Sequence, residues 1–115
     1  MRPLFALVSV FALATALGQS APAQADETGV AGIHSWVRVG GKTCLVDHYH
    51  DGSGSASTRG GAQAAAIRAW AEFTSWEYGT SWGRYGMALS KSMSCDHGMG
   101  GGWSCSTSAR PCRGW

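Results

Sequence analysis

The chain has 115 residues, of which 14% are charged and 44% hydrophobic, with 17 Gly, 6 Trp and 4 Cys. That length bounds it to one small domain, because a self-sufficient core needs on the order of 100 residues. A formal charge of +2 with no run of like sign excludes a polybasic nucleic-acid arm and an acidic solvating tail. A Walker-type glycine loop, HExxH and paired CxxC motifs are all missing, which excludes the enzymes and zinc modules built on them.

Residues 1–25 read as a secretory signal. Arg2 supplies the positive start, 4–17 form an almost unbroken apolar run, and Ala23-Gln24-Ala25 is a small-residue cleavage site. The run is too short for a membrane anchor, since a spanning helix needs ~20 apolar residues. Cleavage after Ala25 leaves 90 of the 115 residues, at a net charge of +1 because Arg2 departs. No later segment approaches spanning length. The expected product is therefore a monomer exported to a periplasm or to the medium, with no membrane span after signal removal. In an oxidising compartment Cys44, Cys95, Cys105 and Cys112 pair as two disulfides. A small Gly-rich domain has a thin core, and each bridge contributes ~2–4 kcal/mol by restricting the unfolded chain.

In chain order, 26–32 is polar and glycine-bearing and reads as a flexible leader. Residues 33–39 and 42–49 are β-branched and aromatic runs around Gly40-Gly41, the signature of a hairpin. Residues 51–61 hold no apolar side chain larger than Ala and read as a mobile loop. From 62 to 78 the period changes. Ala66, Ile67, Trp70, Phe73, Thr74 and Tyr78 share one face of a helix, Arg68 and Glu72 pair on the outer face, and Gly79 suits the left-handed closing position.

Tyr85 to Cys95 alternates in a period of two and reads as a strand, although Trp82, Tyr85 and Ala88 also repeat every three residues, and a helical turn there would shorten it. Residues 97–102 form a glycine loop, and Trp103, Cys105, Thr107 and Ala109 restore the alternation, giving a second hairpin. The expected fold is α+β, one helix packed on a small antiparallel sheet in the order β-β-α-β-β, stabilised by disulfides. A hairpin centred near Gly100 sets Cys95 opposite Cys105 and leaves Cys44 for Cys112. The rival pairing is Cys95 with Cys112 and Cys44 with Cys105, reachable if Pro111 turns the tail back across the sheet.

The string Ala66-Ile67-x-x-Trp70, Tyr78-Gly79, Trp82, Tyr85, Ala88, Lys91, Cys95, Trp103-x-Cys105 and Ala109-Arg110-Pro111-Cys112-Arg113 resembles a family of small exported bacterial proteins, chiefly from α-proteobacteria, of uncharacterised function. The resemblance spans roughly residues 49–113. It implies secretion and a disulfide-supported domain, and carries over no catalytic residue.

Three chemistries remain open. His48 and His50 project from one face of an extended segment and, with Asp51, make a partial zinc or copper shell, His34 and His97 being the other histidines. Trp76, off the helix stripe, and Trp115 with Arg113 at the chain end are candidate binding anchors, since exposed indoles stack on sugars, peptides and bases. An enzyme of the secreted nuclease type would use His48 or His50 with Glu77 and Arg84. The leading expectation is a non-catalytic binding module for an envelope or extracellular ligand, acting through Trp and the glycine-rich loops. It needs no cofactor and takes no nucleic acid. The alternatives are a periplasmic zinc- or copper-binding protein and a small nuclease-like enzyme.

Overall fold

The computed structural model describes residues 29–114. The signal segment, the first residues of the leader and Trp115 lie outside the described residues. A short helical turn, α1 (Gly29–Gly32), opens the described chain, with Ala31 fully buried. Trp36 donates its indole N–H to the Ala31 carbonyl at 2.9 Å, so this part of the expected flexible leader is fastened to the core.

The first hairpin forms as expected. Strands β1 (Trp36–Val39) and β2 (Lys42–Leu45) pair antiparallel from Val39 opposite Lys42 to Trp36 opposite Leu45. Gly40 takes φ +61°, the positive first position that a two-residue type II′ turn uses. The second strand stops short of residue 49, because the chain bends at 46–47 and Asp47 adopts φ +50°.

The expected mobile loop at 51–61 is corrected. Its first part is a strand, β3 (His50–Ala56), and from Arg59 onward it is helix. Small residues are there for close packing rather than for freedom. A Cβ on Gly52 would come within 2.5 Å of the Trp70 amide nitrogen, and one on Gly54 within 2.7 Å of the Ala66 amide nitrogen. Side chains would hold helix and strand apart.

The helix α2 (Arg59–Tyr78) begins three residues before the expected 62. Thr58 caps it by accepting a hydrogen bond from the Gly61 N–H. Gly79 closes it at φ +107°, donating its N–H to the Ser75 carbonyl. The buried stripe is Ala62, Ala66, Trp70, Thr74 and Tyr78, one residue every four, while Phe73 is turned half to solvent. Two 3-10 turns follow, at Thr80–Trp82 and Tyr85–Met87, so the three-residue repeat decides that stretch and the next strand, β4 (Leu89–His97), starts later than Tyr85. It pairs with β5 (Trp103–Arg110), and the short β6 (Cys112–Arg113) is the last strand described.

The class is α+β, with one main helix on antiparallel sheets and two disulfides, but the strands divide into two sheets, β1-β2-β6 and β3-β5-β4. Pro111 is the point of division. It has no N–H to continue the β5 ladder, and its carbonyl accepts from the Leu45 N–H at 3.0 Å, passing the chain to the other sheet. The two expected disulfides, Cys44–Cys112 and Cys95–Cys105, both join directly opposed residues of paired strands, and the rival pairing is excluded. The core runs along α2 in three patches: Ala62, Ala66 and Cys105; Trp70, Ala88 and Ala109; and Ala31, Leu45, Tyr78 and Trp82.

Candidate functional site

Helix α2 covers one face of the β3-β5-β4 sheet, the face of Gly52, Cys105, Thr107 and Ala109. Strand alternation then sends every second residue of three strands to the opposite face, and the register aligns them in rows. Asp51, Ser108 and Ser92 make one row, Ser53, Ser106 and Ser94 the next, and Ser55, Ser104 and Asp96 the third. The result is a lattice of seven hydroxyls and two carboxylates, spaced ~4.8 Å across the strands and ~6.8 Å along them. Each serine hydroxyl both donates and accepts, and the Ser55 and Ser104 hydroxyls already bond each other at 3.0 Å.

Most of this lattice floors an open groove of about 590 Å³, walled on the helix side by Ala69 and Phe73. Phe73 is 46% exposed and stacks on Trp76, which is 78% exposed, with ring centroids 6.2 Å apart and planes at 25°. The exposure expected for Trp76 is thus realised, and a large aromatic plate stands beside a floor of hydroxyls. Asp51 belongs to this groove, on the face of β3 away from the histidines.

On the other side of Phe73 lies a second polar assembly. The His50 ring sits 4.8 Å from that of Phe73, and the His50 side chain enters the buried space between β3 and the end of α2. Its Nδ1 is 3.0 Å from Thr74 Oγ1, and its Nε2 is 3.1 Å from Tyr78 Oη and 3.0 Å from Glu77 Oε2. His48 Nε2 reaches Tyr78 Oη at 2.5 Å, and His34 Nε2 reaches the same oxygen at 3.4 Å. His34 Nδ1 is 2.8 Å from the Val30 carbonyl.

The proton positions follow from which partners can only accept. The Val30 carbonyl requires the His34 proton on Nδ1, so His34 turns a bare Nε2 to the phenol. The Glu77 carboxylate requires the His50 proton on Nε2, and His50 Nδ1 then accepts from the Thr74 hydroxyl. With His48 donating from Nε2 to Oη and Oη donating to His34, every group is satisfied. Burial holds His48 and His50 below the ordinary histidine pKa, each opposed in part by the Glu77 charge. The Tyr78 phenol is pushed up to about 12 by burial first and by Glu77 second.

Of the histidines expected to act together, the structure joins His48 and His50, with ring centroids 5.2 Å apart, and adds His34, Glu77 and Tyr78. Glu77 and Tyr78 had a signal in sequence: with Thr74 they occupy the last turn of the helix, at spacings of three and four. His34 had none, because only the hairpin brings it back against residue 48. Arg84 is exposed between the two 3-10 turns, away from the role given to it in the nuclease scheme. Arg113 lies over the rings of Trp36 and Trp82, at 4.5 and 5.2 Å from their centroids, where burial lowers its pKa. It serves there as packing. Among the described residues no helix is long and apolar enough to cross a membrane. No family model, curated protein or solved structure matches the chain.

Proposed function

We propose that the chain is an exported, non-catalytic binding protein whose ligand is a glycan strand laid across the hydroxyl lattice and against the Phe73–Trp76 plate. The observation that carries this reading is that Phe73, on which the exposed Trp76 ring stacks, walls the groove floored by the hydroxyl lattice. Sugars present alternating hydroxyls, which pair with groups that donate and accept equally well, and C–H faces, which stack on aromatic rings. Asp51 and Asp96 at the margins of the lattice oppose a phosphate backbone, so a nucleic-acid ligand is disfavoured.

Two disulfides that close the fold suit an oxidising compartment and support export. The nuclease reading loses support where His50 is taken as its base. His50 is 4% exposed, and both of its ring nitrogens have hydrogen-bond partners inside the protein.

The test is retention of the disulfide-intact protein on insoluble peptidoglycan, chitin and cellulose. Trp76→Ala removes an exposed ring and leaves the fold intact; it should weaken retention at least about tenfold, the loss typical of an aromatic anchor. Phe73→Ala should act in the same direction. Absence of retention on all three polymers, or retention indifferent to both substitutions, overturns the reading.

A further inference from the structure

The hydroxyl lattice has a cation at one end. Arg110 closes β5 opposite Leu89, and strand alternation sets it on the same face as Ser104, Ser106 and Ser108. It therefore stands one row, ~6.8 Å, beyond Ser108, which lines the groove. Pro111, next in the chain, is fully buried and fixes the strand end from which the side chain leaves.

Most other cations of the fold are engaged. Arg38 donates to Thr43 Oγ1, Lys42 to the Met87 carbonyl and Lys91 to the Gly86 carbonyl, while Arg59 and Arg113 lie over tryptophan rings. Arg110 differs from them. Its side chain is half-buried, and its Nε is shut off from solvent with no hydrogen-bond partner among the described residues. The two Nη groups are not closed off in this way, so the end of the guanidinium is open to solvent.

A buried donor without an acceptor costs stability, and such a group in a folded protein calls for a reason. Here the reason is position. Burial of the inner part of the side chain holds a planar fork of donors at the end of the lattice, the shape that grips a carboxylate through two parallel hydrogen bonds.

The surrounding charges set the kind of anion. The rows contain two carboxylates, Asp51 diagonal to Arg110 and Asp96 at the far end, and among the described residues no ion pair joins Asp51 to Arg110. A polyanion charged at every unit would lay further negative groups over those two carboxylates. A strand of mostly neutral sugars with an isolated carboxylate meets Arg110 at one end and hydroxyls along the rest.

We propose that Arg110 determines the specificity of the groove and that the glycan is acidic: a sugar bearing a carboxylate docks on the guanidinium while neutral units lie along the serine rows. This deepens the glycan reading and rests on it. Uronic acids and lactyl ethers of amino sugars both present such a group.

The test titrates the disulfide-intact protein calorimetrically with soluble oligosaccharides in two matched pairs. Hyaluronan oligosaccharides carry uronates, and their carboxyl-reduced forms carry none; peptide-free peptidoglycan strands carry lactyl carboxylates, and chitin oligosaccharides are their neutral counterparts. In at least one pair the acidic form should bind at least about tenfold more tightly, the effect of a charge-assisted hydrogen-bonded pair, and the responding pair identifies the source of the carboxylate. Arg110→Gln should lower the acidic form to the neutral affinity and leave the neutral affinity unchanged. Arg110→Lys, which keeps the charge and loses the fork, should fall between. Trp76→Ala should weaken both forms alike, because the ring stacks on the C–H face that they share. Near-ultraviolet circular dichroism establishes that each variant is folded, and the comparison within each pair on the wild type needs no variant. Equal affinity within both pairs, an acid preference that persists in folded Arg110→Gln, or an equal loss of neutral binding in that variant overturns the assignment and leaves the glycan reading standing. Binding of none of the four overturns both.

Discussion

His48 and His50 are the residues whose burial has the clearest consequence in solution. Both have a folded pKa below the ordinary value of 6.5, so the folded state holds fewer protons than the unfolded state just below that pH. Stability therefore rises with pH through this window: the contribution is present above 6.5 and is lost as pH falls from 6.5 toward the folded values. Chemical denaturation in EDTA between pH 5 and 8 should show lower stability at the acid end. The double variant His48→Gln, His50→Gln should flatten the slope over the same range, and an equally steep slope in the variant would contradict the assignment. Arg113 shows the opposite use of a charged residue. Its guanidinium covers Trp36 and Trp82, so its aliphatic stem and planar head both serve as core surface.

At the scale of elements, the contact of α2 with β3 depends on residues that lack side chains. Gly52→Ala would press a methyl into the helix backbone at the Trp70 amide, where the nearest atoms cannot rotate away. A cost of about 3 kcal/mol is expected, at the upper end of what overpacking produces. Gly60→Ala, in the first turn of the same helix, meets nothing within 4 Å. It should stabilise by about 0.5–1 kcal/mol through helix propensity and a less flexible unfolded chain. Urea midpoints of the two variants measure the contrast, and a loss of stability in Gly60→Ala would mean that the helix does not begin where the Thr58 cap places it. The same glycines explain why β3 reads as a loop in sequence. Composition counts Gly and Ser as flexible, and the reason for them, a helix lying directly on the strand, is a contact with residues more than ten positions away.

In the whole molecule, the two sheets are held by bridges of unequal reach. Cys44–Cys112 spans 68 positions and Cys95–Cys105 spans 10. The chain-entropy relation assigns about 4 kcal/mol to the long loop and about 3 kcal/mol to the short one. Replacing Cys44 and Cys112 by Ala should therefore destabilise more than replacing Cys95 and Cys105. It should also raise amide exchange selectively in β1 and β2, because β6 contributes only two residues to their sheet and the bridge supplements that short ladder. Equal losses for both pairs would show that the unfolded chain is already compact around one of them.

Sequence alone determined whatever rests on near neighbours. The Gly40-Gly41 hairpin, the Ala-rich helix closed by Gly79, the second hairpin and, through its register, the favoured disulfide pairing follow from turn chemistry and periodicity, which act over a few residues. Tertiary structure decided the rest. It split the strands into two sheets at Pro111, turned a Gly and Ser segment into the strand that α2 covers, and faced its alternate residues outward as a hydroxyl lattice. It also brought His34 from the first turn, His48 and His50 from the entry to β3, and Glu77 and Tyr78 from the end of α2 around one phenol oxygen. Those groups are up to 44 positions apart, and no period in the chain encodes such a meeting. Only the packing of the hairpin against the last turn of the helix brings them together.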